Sequence, residues 1–263
     1  MAVRSASINV MVAAAMKVAR ALNRDFGEIE QLQTSRSGST DFTERSFQHG
    51  ARILVEALAH AKPHCKTYII GASTSPTVGS FEEAWVASPI SGRINFAHGI
   101  PHFAVSIAYV VGNQTKSSIV YDFINDNLYW AEKGAGSYRN DRRIRVSKRQ
   151  NPKDMIVGNF ELATGDIDWE GARLKVSQTG IDVRILGSIA LDLAFVASGV
   201  LDGFWSFSAE PSEFLSGKLL IAEAGGLMNR DIAGSSGRGI TGPGMVASNG
   251  LASETLSRIL AQN

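Results

Sequence analysis

Ser88, Ser91 and Arg93 stand close together in Ser-Pro-Ile-Ser-Gly-Arg-Ile-Asn-Phe (88–96), a stretch with no Asp or Glu. Hydroxyls and a guanidinium suit oxygen-rich anions; they are poor ligands for hard dications, which prefer charged oxygen donors. Other reactive residue types lack a working arrangement. The glycines of Gly-Ser-Ser-Gly-Arg-Gly-Ile-Thr (234–241) resemble a phosphate-binding loop, but Ile240 stands where its lysine belongs, so a surface turn is expected. His60, His64 and Cys65 have suggestive spacing, yet Pro63 interrupts a helical His pair and no fourth ligand is near. His98 and His102 flank Gly99 and Pro101 and read as turn or packing residues. Ser188 lacks the glycine two residues on that a nucleophile elbow needs. Glu213 follows Pro211 by two residues, which predicts an acid serving a helix start rather than a metal ligand.

The elements that must position these residues follow from periodicity. Ile8, Met11, Ala14/Ala15, Val18 and Ala21/Leu22 recur at helical spacing over 7–25. The basic, acid-poor start, with Arg4, Lys17, Arg20 and Arg24 before Asp25, also suits a transit peptide. The apolar stripe favours an amphipathic helix of the folded chain. A second helix is expected over 42–61, stopped by Pro63. Strand-like runs follow at 67–71, 84–88, 102–111, 117–123 and 127–134, the last two joined by a hairpin-type turn, and 134–147 reads as further strands and turns. From 154 onward strands and helices alternate: strands at 154–160, 183–187, 202–207 and 244–249; helices at 167–179, 188–199, 211–226 and 251–262. We read one domain over 1–263, with an N-terminal lobe of about 1–150 and an α/β lobe of about 151–263.

Composition narrows the function classes. Lys and Arg total 26 and Asp and Glu 25, so net charge argues for neither nucleic acid nor membrane. A single cysteine, Cys65, excludes an intrachain disulfide and fits the cytoplasm. No apolar run approaches the roughly 20 residues of a membrane span.

In order and motif the chain resembles the inositol monophosphatase family, in particular its bacterial SuhB-type members. The resemblance rests on Asn-Arg-Asp-Phe-Gly-Glu-Ile-Glu (23–30), the 88–108 stretch, Leu-Gly-Ser-Ile-Ala-Leu-Asp-Leu-Ala-Phe-Val-Ala-Ser-Gly-Val-Leu-Asp-Gly-Phe-Trp (186–205), Glu-Ala-Gly-Gly-Leu-Met (223–228) and Val-Ala-Ser-Asn (246–249). It implies an α+β fold, a layered α/β/α/β/α sandwich, and magnesium-dependent hydrolysis of phosphate monoesters on a carboxylate cluster. The family's main motif reads Asp-Pro-Ile/Leu-Asp-Gly-Thr-x-Asn-Phe; here its acids fall on Ser88 and Ser91 and its Thr on Arg93. By the same resemblance, acidic positions fall on Phe47, near Ala51, on Ala72 and Ser73, and on Ser206, while the last metal-binding Asp is Glu213. The implied ligand positions are thus Ala72, Ser88, Ile90, Ser91 and Glu213, with one carboxylate among them. Magnesium is expected only if the chain is an active phosphatase.

The leading expectation is a catalytically inactive pseudophosphatase with a binding or regulatory role; the alternative is an inositol-phosphate monoesterase of weak activity or with relocated ligands. The resemblance places the amides of Gly92, Arg93 and Ile94 at a helix start, where with the Arg93 guanidinium and the hydroxyls of Ser73, Ser88, Ser91 and Ser206 they form an anion pocket for phosphate or a small anionic ligand. Against this, Arg93 points to solvent or pairs with Glu213, and the serines fill space. The resemblance further implies a homodimer and a role in transcription antitermination with a protein partner. The basic stretch 139–150 reads as a solvated edge strand or as an RNA or protein contact surface. Tyr138 is its one neighbouring aromatic, so no specific nucleic-acid signal emerges.

Overall fold

The computed structural model describes residues 3–32, 38–72, 82–112, 114–161, 168–229 and 244–260. The first helix, α1 (Ala6–Leu32), is longer than the stripe that announces it. Ile8, Met11, Ala14, Ala15, Val18 and Leu22 are all buried, so the amphipathic reading of the basic start holds: the segment belongs to the core. Beside it lies α2 (Gly38–Ala61), which buries Phe47, Ala51, Leu54 and Leu58 and ends just before Pro63.

Both helices cover one face of a seven-stranded sheet. Its strands run in chain order: β1 (Lys66–Ile69), β2 (Glu83–Ser91), β3 (Ala104–Val111), β4 (Gln114–Asp122), β5 (Asn127–Glu132), β6 (Gly136–Arg139) and β7 (Arg142–Arg143). The β1–β2 pair is parallel and the rest are antiparallel. Between β2 and β3 the chain forms a short helix, α3 (Arg93–Ala97). The expected hairpin between β4 and β5 is present, with Asp122 accepting from the Asn125 amide and Asp126 at positive φ. Period-two alternation divides the sheet's faces: Val105 and Ile107 join the core under α1 and α2, while Ala104 and Ala108 face the opposite side.

The second sheet comprises β8 (Ile156–Phe160), β9 (Asp182–Arg184), β10 (Gly203–Ser206), β11 (Leu227–Asn229) and β12 (Met245–Ser248), in the order β11-β12-β10-β8-β9. Its β11 was not expected from the sequence. The outer helices α4 (Trp169–Gln178) and α7 (Ser253–Leu260) cover one face around Trp205, Val246 and Leu256. Between the sheets lie α5 (Ile189–Ala197) and α6 (Leu215–Glu223), apolar on nearly every side because both faces are covered. Gly217 allows this central layer to close: a Cβ there would run into Leu193 of α5. The result is the five-layered α/β/α/β/α sandwich, and no helix among the described residues is long and apolar enough to cross a membrane.

Candidate functional site

The site forms where β2 leaves the first sheet. Ser88 pairs with Ser106 and Ser91 with Ala104, so the register slips between Ser88 and Ser91 and the strand end turns inward. Gly92 then caps α3 with φ near +105°, and a side chain there would come within 3.0 Å of the His102 carbonyl oxygen. Asn95 holds the turn in place by donating to the carbonyls of His102 and Leu186, both at 2.7 Å. Ser91 is committed as well: Ser188 Oγ donates to its carbonyl at 2.8 Å, and the Ala190 amide donates to its hydroxyl at 3.2 Å. It thereby closes the N-terminus of α5.

A cavity of about 230 Å³ opens beside this turn. Ser88, Ser91, Ser106, Arg93 and Glu213 supply its polar lining; Ile70, Ile90, Ile94, Phe160 and Ile189 supply apolar walls. Ser206 is a correction to the sequence reading. It is buried at the end of β10, its hydroxyl accepts from the Ser208 amide, and it does not line the cavity. Ala72 packs partly buried against the helix-side core, and Ser73 lies outside the described residues. Phe47 and Ala51, at two positions to which the resemblance assigns acids, are buried in that same core.

Arg93 is neither in free solvent nor ion-paired with Glu213. Its Nη1 donates to Glu44 Oε2 at 3.2 Å, its Nη2 to the Gly71 carbonyl at 3.1 Å, and its guanidinium carbon stands 3.3 Å from the centre of the Phe47 ring. Burial lowers its pKa from the ordinary value while the charges of Glu44 and then Glu213 oppose that change; an arginine stays protonated regardless. Sequence reasoning missed Glu44. Its signal was the three-residue spacing from Phe47 on α2, which puts both on one helix face.

Glu213 closes a single 3₁₀ turn, Pro211–Phe214, where its Oε2 accepts from the Glu210 amide at 2.9 Å. The capping role expected of it is therefore present. Burial raises its pKa above the ordinary carboxylate value; the Glu210 amide opposes this, the Glu210 charge adds to it and Arg93 opposes it.

The remaining candidates do not assemble into a site. His60 and His64 are exposed, whereas Cys65 is buried, unpaired and has its thiol pKa pushed up to about 11 by burial. His98 is exposed, while His102 meets buried Asp192 at 2.7 Å. Within the basic stretch, Arg142 and Arg143 form the exposed edge strand β7, but Arg149 turns inward onto buried Asp202 at 2.7 Å. The loop 234–241 lies outside the described residues. Among the described residues no group of three or more His, Cys, Asp or Glu side chains is placed to hold a metal ion.

Comparison with known proteins fits this architecture. The description of the inositol monophosphatase family matches residues 4–262. The chain is 38% identical over 228 residues to an inositol-1-monophosphatase of Rhizobium meliloti (strain 1021), covering 85% of each chain. It is 31% identical over 249 residues to the Nus factor SuhB of Escherichia coli (strain K12), covering 92% of this chain and 91% of that one. Its structure is similar to that of the extragenic suppressor protein suhB from Bartonella henselae, with TM-score 0.83 and 32% identity over 97% of this chain and 99% of the other. Sequence and overall structure agree along nearly the whole length: the chain belongs to the inositol monophosphatase family.

Proposed function

We propose that this family member is a pseudophosphatase that binds rather than hydrolyses. The observation carrying this reading is the cavity's donor set: one half-buried carboxylate, Glu213, beside neutral serine hydroxyls and the guanidinium of Arg93. That set does not fit magnesium, which takes charged oxygen ligands and dehydrates reluctantly. A fixed positive charge held by Glu44, Gly71 and Phe47 adds repulsion.

Of the anion donors expected from the sequence, the Arg93 guanidinium is engaged on α2 and Ser206 lies outside the cavity. The amides at the start of α3 and the Ser88 hydroxyl remain for a phosphate, beside a Glu213 carboxylate that would repel it, so we place anion binding second to binding of another kind. A regulatory role in the cytoplasm, with a protein partner of the transcription machinery, is supported by the name Nus factor carried by the E. coli relative. Self-association as a homodimer is supported by exposed Ile94, Ile100 and Ile185, carried on segments that Asn95 ties together.

The name of the Rhizobium relative favours the other reading, magnesium-dependent turnover of inositol-1-phosphate. The test is that turnover with magnesium, measured beside a variant carrying Ala72→Glu, Ser88→Asp, Ser91→Asp, Arg93→Thr and Glu213→Asp. The wild-type chain is expected to show no turnover above background; magnesium-dependent turnover by wild type overturns the proposal.

A further inference from the structure

Ser88 and Ser106 stand directly opposite each other on β2 and β3. Both line the cavity and both are more than nine-tenths buried, at 6% and 3% exposed. Among the described residues neither hydroxyl has a hydrogen-bond partner. Their neighbours behave otherwise: Ser91 and Ser188 bond each other and α5, and Ser118 donates to the Ser216 carbonyl at 3.0 Å. Both hydroxyls open onto the cavity, so two paired donor-acceptor groups there are free to bond whatever occupies it.

The surroundings select that ligand. Around the paired hydroxyls the walls are Ile70, Ile90, Ile189 and Phe160. The charged residues lining the cavity are Arg93 at +1 and Glu213 at −1, which sum to zero. A phosphate monoester would meet the Glu213 carboxylate and a guanidinium whose Nη1 and Nη2 already have acceptors. An organic cation would meet that same guanidinium. Neither sign of charge is welcomed, and apolar walls with a few convergent polar groups are the usual make-up of a small-molecule site.

We propose that the cavity binds a small uncharged organic molecule whose apolar body packs on the isoleucine and phenylalanine walls and whose hydroxyl head bonds Ser88 and Ser106. This inference rests on the pseudophosphatase reading and names the ligand class for that site. Cyclohexanol, one hydroxyl on an apolar body, serves as a probe of that chemistry, with a dissociation constant expected in the millimolar range for so few atoms.

The experiment is a protein-observed NMR titration of the full-length, metal-free chain with cyclohexanol, and separately with inorganic phosphate and with magnesium chloride. Cyclohexanol is expected to shift the amides around Ser88 and Ser106 saturably, while phosphate and magnesium at equal concentration leave them in place. The double variant Ser88→Ala/Ser106→Ala is expected to keep its spectrum outside the cavity and bind about tenfold more weakly, as the loss of neutral hydrogen bonds predicts. If one alanine variant is poorly folded, the other single variant is titrated and must still show weakened binding. Absence of saturable shifts with cyclohexanol, equal affinity in a folded alanine variant, or preferential shifts with phosphate overturns the inference. With no phosphatase turnover, such a result removes this inference alone; magnesium-dependent turnover removes the reading beneath it.

Discussion

Two buried polar regions of this chain handle their groups in opposite ways. Around Asp202, every observed contact is a satisfied one. One carboxylate oxygen accepts from Ser147 and from Arg149 Nε at 2.7 Å, and the other from the Ile156 amide at 2.8 Å. Asn249 closes the cluster by donating to Ser147 and to the Arg149 carbonyl. This knot ties the segment entering the second sheet to β10 and to the end of β12. In the cavity beside β2, by contrast, Ser88 and Ser106 are left open and Glu213 has its pKa raised by burial. The difference separates polar groups that hold the fold from polar groups the fold leaves available.

The sharpest way to break that contrast is to remove the centre of the satisfied cluster. Asp202→Ala leaves Arg149, Ser147 and the Ile156 amide without their common acceptor. Loss of about 3–5 kcal/mol of stability is expected in urea denaturation, because truncating one partner of a buried pair strands the others. A loss under about 1 kcal/mol would show that the cluster does not hold the lobe together.

The next test compares two serines three residues apart. Ser91→Ala removes the hydroxyl that accepts from the Ala190 amide at the start of α5 and is expected to cost about 1 kcal/mol, as loss of a helix cap does. Ser88→Ala removes a hydroxyl with no partner among the described residues and is expected to change stability by less than about 0.5 kcal/mol. Equal effects in thermal unfolding would mean that Ser88 is also a structural serine, and the contrast would fail there.

How much of this was legible beforehand depends on the range of the interaction. Helix α1 was visible because its stripe repeats over many turns, and β2 to β5 because their apolar runs are bounded by turn residues. Strand β11 was not, since Leu227–Asn229 is three residues long with Leu227 exposed and its pairing with β12 is set by the fold. The site was legible as a list of positions but not as geometry. Ser106 was hidden inside an apolar run, although it shares a strand face with Ala104 and Ala108. Ser206 was assigned to the cavity and is buried at the end of β10 without lining it. Arg93 was recognised as the charge that matters, while its partner Glu44 lies 49 residues away on α2 and is brought near by helix packing that no local pattern encodes.

The smallest effect concerns the one carboxylate of the cavity. Burial favours protonated Glu213, so its pKa in the folded chain stands above the unfolded value of about 4.3. The associated stability is fully present below that unfolded value and is lost as pH rises through the folded pKa. Glu213→Gln keeps an amide oxygen to accept from the Glu210 amide but cannot ionise. Stability curves of the two chains are therefore expected to diverge as pH rises above the unfolded value of about 4.3, the wild type losing ground to the glutamine variant. Paired urea titrations across that range isolate this term, since the other carboxylates are common to both proteins. Divergence in the other direction would mean that attraction to Arg93 outweighs burial and that the cavity stabilises a charge. It would then resemble the Asp202 cluster, and the distinction between the two regions would rest on the paired serines alone.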